Sequence, residues 1–336
     1  MKKFTLLLMA SIFAGQLCAD SYRILHNFGD TNGDGYAALS SLTFDGSALY
    51  GTTASAGKGG NGILFRVNLD GTGFTNIHAF AWSDGANPAA GVAPSDGALY
   101  GTTQSGGNFG NGTVFRVNID GSGHTVLWSF SALTPQLSGT NSDGGKPRGD
   151  LVLDGNTLYG TASTGGAAGN GTVFRIGTDG SDFAVLKQFS QTFIGTNNVS
   201  GSFFTHGTND DGAFPIAGLT LSGSTLYGTT FYGGFFSNGV IFKMETDGGG
   251  FEVLKHFPAL INGTNSDGAN PWAGLTLSGD TVYGATVTGG NLYDGTLFKM
   301  KAAEDSRTPK LRGRNGVWDI APTFWSAAVL CRFRSA

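Results

Sequence analysis

One passage is written five times along this chain, and few folds can accept that. Its landmark is Leu/Val-Tyr-Gly-Thr/Ala, with the tyrosine at Tyr50, Tyr100, Tyr159, Tyr227 and Tyr283. Around it the order is fixed: an apolar run ending in Phe, an Asp-Gly turn, an alternating segment, the Tyr-Gly segment, a glycine-rich loop, Asn/Asp-Gly, and a Phe-Arg/Lys segment. Each copy reads as four short strands, and a four-stranded unit recurring about every fifty residues is the period of one propeller blade.

The fourth copy gives the plainest reading. Residues 217–222 form strand A, Thr225–Thr230 strand B, 240–244 strand C and 251–257 strand D, each alternating or β-branched and bounded by Gly, Asp or Asn. The connections between A and B are short, and those between C and D are Asp-Gly in four copies, so the blade is a meander of hairpins. The fifth copy lacks its own strand D, because Ala302-Ala-Glu-Asp-Ser-Arg follows Lys301. A matching strand stands at the other end: residues 22–28 align with residues 74–80. The expected fold is therefore all-β, a five-bladed β-propeller of four-stranded antiparallel blades over residues 20–301. The N-terminal strand closes the ring by pairing near Leu297–Met300, since closure removes two unpaired edges. The competing expectation is a longer array whose end is lost. Residues 302–336 fit neither picture: with Trp318, Trp325 and clustered arginines they read as an irregular tail, a terminal extension or a frameshifted gene end.

At the other terminus, Lys2 and Lys3 precede an apolar run from Phe4 to Leu17, and Cys18-Ala19 precedes Asp20. This is the layout of a signal peptide over residues 1–19, with a lipidated Cys18 disfavoured by the bulk of Leu17. The expected destination is the cell surface, the periplasm or the medium. Only Cys331 would remain after cleavage, so burial rather than a disulfide must stabilise the fold. No later stretch approaches the roughly 20 apolar residues of a membrane span. Between Asp20 and Lys301, 12 lysines and arginines face 21 acids, so a basic face for nucleic acid is absent. Most of those acids lie in Asp-Gly pairs such as Asp70-Gly71 and Asp120-Gly121, whose first use is in tight turns. The recurring tyrosines read as packing residues between blades, and the glycine after each as a point of close approach.

Between Leu99 and Phe130 the chain carries Leu-Tyr-Gly-Thr-Thr, Gly-Asn-Gly-Thr-Val-Phe-Arg, Asp-Gly-Ser-Gly and Val-Leu-Trp-Ser-Phe. These motifs resemble the GloVer tandem repeat of secreted bacterial "choice-of-anchor" proteins, and the resemblance extends over about Tyr22 to Lys301. It implies an exported or surface protein, usually with a C-terminal anchoring module, and implies no catalytic residues. The chain departs from that pattern at its end, where residues 323–330 are too short to span a bilayer.

In a propeller the D-to-A and B-to-C links emerge on one face around the channel mouth, and here they are the segments that vary in length. Loops on a rigid scaffold are the usual home of function. They are rich in rings, and the candidate ligand-binding residues are Phe231, Tyr232, Phe235, Phe236, Trp272 and Tyr293, densest in the fourth and fifth copies. Exposed aromatic clusters mark binding surfaces, and flat rings suit sugar or peptide contacts; the alternative is that they plug the mouth. Asp30, Asn32 and Asp34 have the alternating oxygens of a calcium loop, with glycine at the sixth position but Ser41 rather than glutamate at the twelfth. Asx turns explain the Asn-x-Asp-Gly of the other copies without metal.

No metalloprotease, serine-hydrolase or phosphate-loop motif occurs. His26 and His78 share a strand D position with Trp128, Lys187 and Lys255, and read as tolerated surface or edge residues. Asp150, Asp210 and Glu252 lie outside Asp-Gly turns, so a glycan hydrolase or lyase built from distant blades stays open. The expected function is a monomeric, non-catalytic binding scaffold with a surface glycan or protein as partner; the alternative is a carbohydrate-active enzyme with its site on the loop face. Carboxylates paired across the mouth favour the enzyme, and rings without them favour the scaffold.

Overall fold

In the computed structural model, residues 22–29, 33–135, 139–193 and 207–302 are described. They contain five four-stranded antiparallel sheets and no helix. The first copy forms β1 (Thr43–Phe44), β2 (Ala48–Thr53), β3 (Ile63–Asn68) and β4 (Thr75–Ala79). The second forms β5 (Ala93–Ser95), β6 (Ala98–Thr103), β7 (Thr113–Asn118) and β8 (Thr125–Ser129). The third forms β9 (Val152–Asp154), β10 (Thr157–Ala162), β11 (Thr172–Gly177) and β12 (Ala184–Gln188), and the fourth β13 (Thr220–Ser222), β14 (Thr225–Thr230), β15 (Val240–Glu245) and β16 (Glu252–His256). All four are meanders in chain order.

The fifth sheet differs, as its sequence requires. It holds β17 (Asn265–Pro271), β18 (Thr276–Ser278), β19 (Thr281–Gly290) and β20 (Thr296–Lys301). Here β17 takes the fourth place by pairing with the end of β19, a contact that earlier copies make as single bridges such as Ala86 to Ser105 and Ala213 to Tyr232. No strand D follows β20 among the described residues.

The register explains the repeated motif. In every copy the glycine after the tyrosine lies opposite the strand C phenylalanine, as Gly51 to Phe65 and Gly160 to Phe174. A Cβ on Gly160 would stand 2.6 Å from the tip of the Phe174 ring, so a side chain, not backbone, makes the close approach that excludes any larger residue. Between strands C and D the aspartate itself caps the turn: Asp70 accepts the amide and hydroxyl of Thr72 at 2.9 and 2.6 Å. Only the following Gly71 has positive φ (81°), so this is a three-residue loop with a left-handed glycine rather than a two-residue turn.

Burial is organised as seams between successive sheets. Tyr50, Leu64 and Phe80 of the first copy pack on Val92, Leu99 and Phe115 of the second. Tyr100, Val114 and Phe130 then meet Leu151, Leu158 and Phe174, and the pattern repeats twice more, ending with Tyr227, Ile241 and Phe257 against Leu275, Val282 and Phe298. Each seam carries an edge-to-face phenylalanine pair at 5.0 to 5.7 Å.

The expected pairing of Tyr22–Phe28 with β20 is not formed. Residues 22–29 have no ladder, and β20 pairs with β19 alone. Phe28 instead packs edge-to-face on Phe65 at 5.1 Å, the slot that Phe80 fills on the second sheet. Phe28 thus covers Phe65, but both ends of the row keep exposed apolar residues. Leu297 is 82% exposed where its four counterparts are at most 1%, and Leu42 is 56% exposed where its counterparts are at most 8%.

Candidate functional site

The segments just before β1, β5, β9, β13 and β18 meet around one cavity of about 530 Å³. Leu39, Ala89, Arg148, Ile216 and Trp272 hold equivalent positions and line a first tier of it; in four copies a proline precedes them. Two residues further along stand Ser41, Gly91, Asp150, Gly218 and Gly274. The glycines bring backbones together: a Cβ on Gly149 would lie 2.3 Å from the amide nitrogen of Gly218. Asp150 acts as a clasp across this tier, accepting the hydroxyl of Ser41 at 2.7 Å and the amide of Gly91 at 2.6 Å, and so ties the third copy to the first and second.

Arg148 is half-buried beside the cavity with its guanidinium 5.5 Å from the centre of the Trp272 ring. Trp272 meets Phe231 edge-on at 5.3 Å, and Phe231 meets Tyr232 at 4.5 Å. Three of the six candidate rings thus form one aromatic row at the cavity rim, with a cation on its first member.

The other three lie elsewhere. Phe235 stacks on His256 at 3.8 Å and borders a separate cleft of about 490 Å³ with Phe193 and Asp210. Phe236 is exposed. Tyr293, in left-handed backbone at φ 71°, lies against Gly263 in the fifth copy. Of the calcium candidates, Asp30 and Asn32 lie outside the described residues. Asp34 is engaged by protein: its carboxylate is 2.8 Å from Nε2 of His26 and accepts the amide of Gly29 at 3.1 Å. Burial raises the Asp34 carboxyl, but these bonds outweigh it and hold it below its ordinary value. Asn141, Asn209 and Asn265 cap the Asx turns of their copies, each accepting the amide three residues on.

The strand D residues read as tolerated surface positions are nothing of the kind. Each meets the link aspartate of the next copy: His26 with Asp34, His78 with Asp84 at 3.2 Å, Trp128 Nε1 donating to Asp143 at 3.1 Å, Lys187 Nζ to Asp211 at 2.7 Å, and Lys255 Nζ to Asp267. Each of the first four is also covered by a ring of the following sheet. His26 stacks on Phe74 at 3.6 Å, His78 on His124 at 3.8 Å and Trp128 on Phe183 at 3.8 Å, while the Lys187 ammonium lies 4.4 Å from the Phe251 centre. Among the described residues no ring covers Lys255.

Of the acids considered for catalysis, only Asp150 lines the central cavity. Asp210 belongs to the second cleft, and Glu252 pairs with Lys243 at 3.2 Å on the sheet. No helix of the described residues is long and apolar enough to cross a membrane.

No curated protein matches the chain. Among solved structures it is similar to a chain of the nidogen/laminin complex, with 17% identity over 79% of this chain and 75% of that one and a TM-score of 0.46. It is similar also to TolB from Acinetobacter baumannii, with 17% identity, 77% and 50% coverage and a TM-score of 0.44. A third is the GH74 enzyme of Niastella koreensis, with 18% identity, 79% and 36% coverage and a TM-score of 0.47. The chain thus spans half of that TolB and about a third of the GH74 enzyme. The family model that matches is the Gloeobacter/Verrucomicrobia repeat, over residues 10–140. Residues 10–140 thus carry the Gloeobacter/Verrucomicrobia repeat, and the later sheets repeat the same Tyr-Gly and Phe-Arg/Lys strands.

Proposed function

We propose that this is an exported, five-bladed propeller closed by its own N-terminal segment, and that it works as a non-catalytic scaffold holding a surface glycan or protein at the mouth of its central cavity. The observation that carries the binding reading is the row Tyr232, Phe231, Trp272 with Arg148 beside the cavity. Rings and a guanidinium at a concave rim offer flat apolar contact and directional hydrogen bonds together. The acids favour the same reading. A glycosidase needs two carboxyl groups flanking one bond, and Asp150, the single carboxylate lining this cavity among the described residues, already accepts two hydrogen bonds within the protein.

Closure is supported by a gap in the fourth seam. Lys255 holds Asp267 but among the described residues has no ring over it, while Tyr22, which aligns with Phe74, is 91% exposed. Pairing residues 22–28 with β20 sets Tyr22 where Phe251 stands over Lys187, and covers Leu297 and Leu42 at the same time. Glycan-array and surface-protein binding by the purified chain, compared with Trp272→Ala, tests the function. Loss of a wild-type signal in the variant, with unchanged melting, is the expected result. Hydrolysis of a bound glycan, or binding unaffected by the substitution, contradicts it.

A further inference from the structure

Four of the five strand D donors sit under a ring of the next sheet, and at three of those places the ring is phenylalanine: Phe74, Phe183 and Phe251. The exception is the seam between the first and second copies, where His124 stands and stacks on His78. Phenylalanine supplies the packing elsewhere, so stacking alone does not account for an imidazole here. Its Nε2 is moreover buried and has no hydrogen-bond partner, a state that carries a cost unless something else satisfies the lone pair. Beside it lies Asp84, whose Oδ1 accepts the amide of Ala81 and whose Oδ2 is 3.2 Å from Nε2 of His78. One ligand atom from each of His78, Asp84 and His124 falls within 4.8 Å of the others, and all three residues are half-buried.

We infer that this seam is a binding site for a divalent transition-metal ion of the zinc, nickel and copper class, held by the imidazoles of His78 and His124 and the carboxylate of Asp84. Two imidazoles and one carboxylate are a donor set for such ions and a poor one for calcium or magnesium, which take oxygen ligands. Burial holds both imidazoles below the ordinary histidine range, with His78 lowering His124 further, to about 4. Both rings are therefore neutral near pH 7, as ligation requires. Bonds of about 2.1 Å need the three atoms closer than they stand, so His124 must tilt out of its parallel stack toward Asp84. The remaining coordination positions face the partly open side of the seam and take water.

The test uses the mature chain, untagged and stripped with chelator. Titration calorimetry with zinc or nickel chloride should give one saturable site near pH 7, and magnesium and calcium chloride should give none. His124→Phe is the decisive variant, because phenylalanine already occupies this place in three other seams; it should weaken binding at least tenfold while keeping the wild-type circular dichroism spectrum. Copper-loaded wild-type protein supplies a readout free of any folding defect: its electron paramagnetic resonance spectrum should show two coupled imidazole nitrogens. Absence of a saturable site, equal binding by His124→Phe, or a copper signal without that coupling overturns the inference.

Discussion

Equivalent positions along the repeat separate residues that serve packing from residues that serve something else. Gly160 is of the first kind. Gly160→Ala should destabilise the chain by ~1–3 kcal/mol through forced movement of Phe174, measurable by denaturant unfolding. His124 is of the second kind, and its titration has a definite sign. Its folded-state pKa of about 4 lies below its ordinary value of 6.5, because of burial and then the neighbouring His78. The unfolded chain therefore binds the proton first. Stability from this group is complete above about pH 6.5 and is lost as pH falls toward 4. Wild-type melting temperature should drop across that window more steeply than that of His124→Phe; parallel slopes would show that the ring titrates elsewhere. The exposed Asp70, Asp120 and Asp179 act lower on the scale. Hydrogen bonds from Thr72, Ser122 and Ser181 hold them below their ordinary value, so their contribution persists above about pH 4 and fades only in stronger acid.

At the scale of elements, the rim divides into two sites where the sequence suggests one. Trp272→Ala and Tyr232→Ala remove members of the same row and should each weaken ligand binding by on the order of 2 kcal/mol, whereas Phe235→Ala, in the second cleft, should leave affinity unchanged. Strand B was legible residue for residue, because Tyr-Gly-Thr alternates cleanly and the glycine is forced by Phe on strand C. Strand A was legible only in part: the ladder of β13 begins at Thr220 rather than Ala217, because residues 216–218 turn inward to line the cavity and have no partner strand. The donor–aspartate pairs were not legible. Their donors are His, Trp and Lys, chemically unlike except for an N–H, and the acceptor lies from 6 to 24 residues away across links of unequal length. Asp150 was visible as a carboxylate outside an Asp-Gly turn, but its use as a clasp depends on Gly91 and Ser41 of other copies, which no local pattern announces.

For the whole molecule the question is how a row of identical seams ends. Four seams are formed, the last of them without a ring over Lys255 among the described residues, and the two terminal faces are the two halves of a fifth: one offers Tyr283 and Leu297, the other Leu42 and Phe28. In a closed ring Leu297→Asp should cost more than about 2 kcal/mol, because an unpaired charge enters a seam; on an open face it should fall within the ±0.5 kcal/mol usual for surface changes. The most direct measurement is amide hydrogen exchange in the monomeric chain, followed at β20 and at residues 22–28. Closure predicts that the β20 amides pointing away from β19 exchange as slowly as those of β15, and that residues 23–27 are protected with them. Exchange of both segments at the rate of an unpaired edge, with β15 fully protected, would contradict the closed ring.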